Sequence, residues 1–365
     1  MSSNPCITEP DALAALGFRQ FFRAQTADLD DDLMPARVVT HARGQYEIHD
    51  GRSRHVVRLA ASLTRDASGP HDLPATGDWV AVRGEAIVHV FERSTVLVRR
   101  RSGSRSEPQV VAANADYVAV VLALTEDEGW TSRARRSANP RRLERYLLAV
   151  KQSGAQPIVV LNKADRHPDP DHIARELRAV AQAAPLITTS AADGTGVDEL
   201  ARLLGPADTL ALVGMSGVGK STLLNRLTGI PLESTAPVRE EDERGRHTTT
   251  ARRLHQTDRG FLVLDTPGMR ELGLWAIEAF ETTASAAFDD IATLAAECHF
   301  RDCRHEGEPG CAVERAVHAG RLDAARLDSY RRLERELFAA TSEGKAAKER
   351  WAKMVAKTVR GLNKD

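Results

Sequence analysis

Through residues 36–101 apolar and polar positions alternate in short runs cut by turn residues, the period of two that half-buried strands require. The runs fall at 37–40, 45–48, 55–59, 78–83, 87–91 and 95–98. Their spacing predicts a small five-stranded β-barrel of OB type over residues 35–105, with a β-sandwich as its rival. Ahead of it, residues 1–34 form an N-terminal extension with an apolar stretch from Leu13 to Phe22 and an acidic run from Asp28 to Asp32, read as a solvated connector.

After a basic link (Arg99, Arg100, Arg101, Arg105) the period changes. Apolar strand-like runs at 117–124, 158–161, 186–189, 210–213 and 261–264 alternate with helical patterns, which predicts an α/β domain with a parallel sheet and crossover helices over 106–274. The helix after the first run has its punctuation in place, with Asn139 as N-cap, Pro140 in the first turn and Gly154 as C-terminal cap. Residues 275–365 read as helical, interrupted by a cysteine cluster, and end in an amphipathic basic segment.

Composition narrows the classes. The 365 residues are 42% hydrophobic and 28% charged, as in a soluble globular chain. No apolar run could cross a bilayer, and residues 1–10 lack a signal-peptide design, so a cytoplasmic protein without membrane contact is expected; a monomer is expected as well. A net charge of -1 excludes a global nucleic-acid footprint and leaves local patches. These are Arg133, Arg135, Arg136, Arg141 and Arg142 in one loop, and Lys345 to Lys364 in the tail. The aromatics available to a base-stacking platform on the barrel are Tyr46, Trp79 and Phe91. Of the four cysteines, Cys6 stands apart, while Cys298, Cys303 and Cys311 cluster as metal ligands do.

The chemistry lies at strand ends. Run 210–213 leads into Gly214-Met215-Ser216-Gly217-Val218-Gly219-Lys220-Ser221-Thr222, which fits G-x-x-x-x-G-K-[ST] in the required strand–loop–helix context. Such a loop wraps backbone N–H groups around phosphate, with Lys220 reaching the β and γ phosphates and the Ser221 hydroxyl on Mg²⁺. Run 158–161 ends in Asn162-Lys163-Ala164-Asp165, which resembles the N-K-x-D signature. The acceptor-only carboxylate of Asp165 suits guanine, whose N1–H and amino group both donate, and rejects adenine. Ser190-Ala191 resembles the motif in which a backbone N–H meets the guanine oxygen.

Run 261–264 ends in Asp265-Thr266-Pro267-Gly268, which resembles D-x-x-G, with Asp265 on Mg²⁺ and Gly268 sensing the γ-phosphate. Upstream, residues 244–250 suit a first switch; Thr249, or alternatively Thr248, completes the Mg²⁺ shell. After D-x-x-G stands Met269, whose thioether cannot orient a water. His247 is therefore the catalytic candidate, against the alternative of a solvated loop histidine.

The order is base motif, Ser190-Ala191, phosphate loop, switch, D-x-x-G, a rotation of the usual GTPase order. Beyond it, Cys298, Cys303, His305 and Cys311 form a Cys₃His set that suits one structural Zn²⁺, with His299 as the rival to His305. Over nearly its whole length the chain resembles the small-ribosomal-subunit biogenesis GTPases of the RsgA (YjeQ, EngC) family. The resemblance is carried by Gly77-Asp78-Trp79-Val80, residues 109–116, Asn162 to Asp165, Gly214 to Thr222, Gly245 to Thr250, Asp265 to Gly268 and the four zinc ligands. It implies an OB domain, a circularly permuted P-loop GTPase domain and a C-terminal α-helical zinc-binding domain. It further implies GTP hydrolysis to GDP stimulated by the 30S subunit, contact with 16S rRNA, and a role in late subunit maturation. Two other readings stay open: a GTP-gated zinc chaperone, and a non-enzymic RNA-binding regulator.

Overall fold

The computed structural model describes residues 10–27, 29–42, 44–100, 108–124, 138–230, 252–265, 288–300 and 303–332. Two short helices, α1 (Pro10–Ala14) and α2 (Gln20–Ala24), precede the barrel. Strands β1 (Met34–Ala42), β2 (Gln45–His49) and β3 (Arg54–Leu59) form an antiparallel meander. A helix, α3 (Ala61–Asp66), then leads to β4 (Trp79–Arg83), which returns beside β1, and β5 (Ala86–Val90), which joins β4 to β3. The ring closes in the order β1-β2-β3-β5-β4, so the barrel is the fold and the sandwich is not.

Alternation explains why both barrel faces are apolar in places. Ala36, Val38, Tyr46, Ile48, Val57, Val80, Val82 and Ile87 fill the interior. On the outside, Val39, Trp79, Ala81 and Phe91 meet Leu13, Leu16, Phe18 and Phe22 of the N-terminal extension. Phe18 lies 4.6 Å and Phe22 5.8 Å, centroid to centroid, from Trp79. This corrects the expected stacking platform, because Tyr46, Trp79 and Phe91 are all at most 2% exposed. Aromatic rings that pack a core offer no face to a base. The acidic run is also tied down in part, since Asp30 and Asp32 both pair with Arg83.

The sixth run does not join the barrel: β6 (Val96–Arg100) pairs antiparallel with β7 (Pro108–Ala113) in a separate two-stranded sheet. Period-two alternation reports which face is buried and says nothing of the partner. Next comes a six-stranded sheet in the order β10-β9-β8-β11-β13-β12. Its parallel members are β8 (Tyr117–Ala123), β9 (Gln156–Asn162), β10 (Leu186–Thr188), β11 (Thr209–Val213) and β13 (Leu262–Leu264). The edge strand β12 (Leu254–Gln256) is antiparallel to β13. Helices α4 (Pro140–Ser153), α5 (Pro170–Ala181), α6 (Val197–Arg202) and α7 (Lys220–Thr228) cover the two faces. In β8, Val118, Val120 and Leu122 enter one core and Ala119, Val121 and Ala123 the other, as a doubly covered strand must.

Barrel and sheet meet through buried polar groups. The Arg37 guanidinium is 1% exposed and donates to the carbonyls of Leu16, Gly77 (3.2 Å) and Asn114 (3.0 Å), while lying 5.5 Å from the Trp79 ring centroid. Burial lowers its pKa to about 10. Thr40 forms a bridge with Arg253, and its hydroxyl donates to the Arg252 carbonyl at 2.6 Å, which covers the sheet edge at β12.

The helices Asp289–Ala295 and Ala312–His318 build a third core with Phe288, Ile291, Val313, Leu322, Leu327 and, from α4, Leu148. Arg326 fastens it, reaching Asp290 and, at 2.8 Å, Glu144 of α4.

Candidate nucleotide site and metal centre

The loop after β11 turns through three glycines with positive φ: Gly214 (147°), Gly217 (82°) and Gly219 (95°). Two of them are also close approaches. A Cβ on Gly214 would stand 2.3 Å from the Val121 carbonyl oxygen, and one on Gly219 would stand 2.3 Å from the Asn162 amide nitrogen. Gly219 ends the loop and α7 begins at Lys220, whose ammonium donates to the Gly214 and Met215 carbonyls, each at 2.8 Å. Val218 is buried, and Ser216 and Gly217 are exposed; Ser221 and Thr222 are half-buried in the first turn of α7. From α4, Arg142 reaches the Met215 sulfur.

Asn162, at the end of β9, joins three loops. Its side-chain nitrogen donates to the Val218 carbonyl at 2.9 Å, and its oxygen accepts from Ala191 N–H at 3.0 Å and from the Thr189 hydroxyl at 3.1 Å. The residue is 1% exposed, so these bonds replace the water it has lost. Lys163 takes a left-handed conformation (φ 65°) that turns the chain into the 3₁₀ turn Ala164–Arg166, fastened by Ala164 N–H to the Thr189 carbonyl at 3.0 Å. Burial, and then Arg166, lower the Lys163 pKa, while Asp165 stays exposed. Ser190 and Ala191 begin a small closed loop, with Ser190 N–H on the Thr195 carbonyl (2.9 Å) and Gly194 N–H on the Ser190 carbonyl (2.8 Å).

Asp265 ends β13 beside β11, buried, its N–H on the Arg253 carbonyl at 2.9 Å. The phosphate-type loop, the 162–165 turn, the 190–195 loop and Asp265 thus share one edge of the sheet, at the carboxyl ends of the strands, where such sheets bind ligands. His247, Thr248, Thr249, Gly268 and Met269 lie outside the described residues, as do Cys6, Arg133, Arg135, Arg136 and the 345–364 tail.

In the C-terminal unit the ligand atoms of Cys298, Cys303, His305 and Cys311 all lie within 4.8 Å of one another. His305 Nδ1 is 3.6 Å from Cys298 Sγ and 3.5 Å from Cys311 Sγ, and the imidazole is 3% exposed at a left-handed backbone position (φ 60°). His299 instead packs against Gly310 and Phe300, so His305 is the fourth member of the group. Ala312 N–H points at Cys298 Sγ (3.3 Å) and Glu314 N–H at Cys311 Sγ (3.4 Å), which orients the sulfurs as backbone donors do around bound thiolates. Burial, then the Cys311 and Cys298 sulfurs, push the Cys303 thiol up to about 12. Three sulfurs and one imidazole nitrogen converging at this spacing are the donor set of a soft tetrahedral metal.

The rotated order of these loops on one sheet defines a circularly permuted GTPase, and the comparisons agree. Residues 90–275 match the family described as RsgA GTPase. A relative from Opitutus terrae, named small ribosomal subunit biogenesis GTPase RsgA, is 40% identical over 94% of this chain and 95% of its own length. One of the same name from Xanthomonas axonopodis pv. citri is 42% identical over 90% of this chain and 85% of its own. The crystal structure of YjeQ from Thermotoga maritima superposes with a TM-score of 0.59 at 25% identity, covering 84% of this chain and 99% of that one. YloQ, a circularly permuted GTPase, shares the fold, with a TM-score of 0.54, 24% identity and coverage of 86% and 97%. The chain belongs to the RsgA GTPase family and is a GTP hydrolase.

Two residues at the site carry no signature a motif search would detect: Arg142, which reaches the Met215 sulfur, and Arg226 of α7, which reaches the Ala191 and Ala192 carbonyls. Each acts on backbone or sulfur atoms brought close only by the fold.

Proposed function

We propose that the chain hydrolyses GTP during late maturation of the small (30S) ribosomal subunit, in response to binding the subunit and its 16S rRNA. The reading rests on the joining of three loops by Asn162, which makes one nucleotide site from residues far apart in sequence. The subunit comes from the relatives' names. In this reading Asp165 takes the guanine N1–H and amino group, the loop opened by Ser190 and Ala191 meets the guanine oxygen, and Gly214 to Thr222 with Lys220 cradle the phosphates. Ser221, Thr249 and Asp265 hold Mg²⁺, which neutralises charge on the β and γ phosphates, and Gly268 senses the γ-phosphate. His247 orients the attacking water in place of the glutamine that Met269 cannot replace. Cys298, Cys303, His305 and Cys311 hold one structural Zn²⁺. A closed four-ligand set leaves no position for delivery of the metal, against the zinc-chaperone reading. The protein works as a cytoplasmic monomer.

The test is GTP turnover by purified protein with and without 30S subunits, before and after strong chelation. Stimulation by subunits is expected. Zinc release on hydrolysis would favour a metal chaperone, and no turnover a non-enzymic regulator. His247→Ala is expected to lower subunit-stimulated kcat on the order of 10²-fold while GTP still binds; an unchanged stimulated kcat removes His247 from the chemistry.

A further inference from the structure

Among the described side chains around the nucleotide site, Arg226 gives its guanidinium to the backbone of the 190–195 loop. It lies on α7, the helix that begins at Lys220, and its guanidinium crosses to the 190–195 loop. Nε donates to the Ala191 carbonyl at 3.0 Å and an Nη to the Ala192 carbonyl. From the other side Asn162 accepts the Ala191 N–H at 3.0 Å. The loop is therefore gripped between a buried amide and an exposed cation.

These bonds have a direction. The Ala191 carbonyl belongs to the same peptide unit as the Ala192 N–H, and the Ala192 carbonyl to the same unit as the Asp193 N–H. A cation on each carbonyl polarises each unit and strengthens its N–H as a donor. Ala191 N–H is already given to Asn162 and Asp193 N–H to the Ser190 hydroxyl at 3.4 Å, so the donor this turn holds out to an oxygen acceptor is Ala192 N–H, in the peptide unit whose carbonyl takes Arg226 Nε. The same grip ties the loop to the helix whose first turn carries Lys220 and Ser221.

We propose that Arg226 is a positioning residue for the purine: it orients and polarises the 191–192 backbone so that the Ala192 N–H meets the guanine oxygen, and it fixes that loop to the phosphate-binding helix. The inference rests on the assignment of 162–165 and 190–192 as the guanine site. Nothing in Arg226 itself reads the base, so GTP and GDP share the effect.

The experiment compares Arg226→Ala, Arg226→Gln and Arg226→Lys with Asp165→Asn in the full-length protein. It measures affinity for GTP, GDP and XTP, inhibition by inorganic tripolyphosphate, GTP KM and kcat, and thermal midpoint. Asp165→Asn exchanges an acceptor for a donor and is expected to move preference from GTP to XTP, which tests the site itself. Arg226→Ala and Arg226→Gln are expected to weaken GTP and GDP alike by roughly three- to tenfold, the worth of charged hydrogen bonds to an exposed loop. KM should rise with kcat at saturation held. Tripolyphosphate inhibition should not move, because it engages the phosphate loop alone, and Arg226→Lys should recover part of the loss through one donor. If Asp165→Asn keeps its GTP preference, the guanine site is elsewhere and the inference falls with it. If that variant switches to XTP while Arg226→Ala binds guanine nucleotides normally, or loses tripolyphosphate in proportion, the positioning role alone is overturned.

Discussion

At the scale of single residues, the phosphate-type loop separates two reasons for a glycine. Gly217 has only its positive φ of 82° to defend, with nothing within 4 Å of an added Cβ, whereas at Gly214 a Cβ would press on the Val121 carbonyl at 2.3 Å. Backbone atoms of a central strand cannot yield as a flexible side chain can. Gly217→Ala is therefore expected to cost about 1 kcal/mol of stability, the left-handed penalty, and Gly214→Ala about 3 kcal/mol, since overpacking adds to it. Chemical denaturation of the two variants measures the difference, and equal losses would refute the distinction. The motif was legible in the sequence because the spacing of such loops is fixed by the phosphate they are built to wrap. Two neighbours were not. Asn162 was expected as a base reader, and its bond to Val218 depends on the packing of strands β9 and β11 about their common neighbour β8. Arg226 has no motif at all, since it bonds to carbonyls, which every residue possesses.

At the scale of elements, α4 shows what local chemistry can specify. Asn139 accepts from Arg141 N–H at 2.9 Å, Pro140 opens the first turn and Gly154 closes the helix at φ 82°, all as capping rules require. The partner of its far side was invisible, because Glu144 and Leu148 read as ordinary positions of an amphipathic helix. In the fold they receive the C-terminal unit: Leu148 enters its core, and Arg326 spans from Asp290 to Glu144 while lying 4.9 Å from the Phe288 ring centroid. Arg326 and Glu144 are 18% and 11% exposed, so truncating the arginine strands a carboxylate that burial already pushes toward protonation. Arg326→Ala is expected to cost on the order of 3 kcal/mol in that unit, and Glu144→Gln, which keeps the shape, about 1 kcal/mol. A double-mutant cycle whose coupling is zero would show the pair to be incidental. Strand β12 escaped the sequence for a different reason: three residues, Leu254 to Gln256, are too few to display a period.

At the scale of the whole molecule, the same contacts divide the chain into cooperative units. The barrel, the N-terminal helices and the nucleotide-site sheet share one continuous core, from Phe22 and Trp79 through Val111 to Leu122 and Leu161. Arg37 pins its centre by satisfying carbonyls from three segments, and Arg19 adds Asp116 and Asp208. Arg37→Met would take the guanidinium from the Leu16 and Asn114 carbonyls, while the Gly77 carbonyl keeps the Asn114 side-chain amide at 3.2 Å; the expected cost is on the order of 3 kcal/mol, and both parts should lose stability together. The C-terminal core, by contrast, is small and centres on the Cys₃His group, with Cys311 capping the helix Ala312–His318 and Leu148 its one buried partner from α4. With the proposed metal among those ligands, a core of that size is expected to depend on it. Chelation, or Cys311→Ser, should then strip amide-exchange protection from 303–332 while leaving β8, β9 and β11 protected and GDP affinity within about twofold. Loss of protection across the sheet as well would mean that metal, barrel and nucleotide site unfold as one body. The GTPase sheet would then depend on the metal for its own stability.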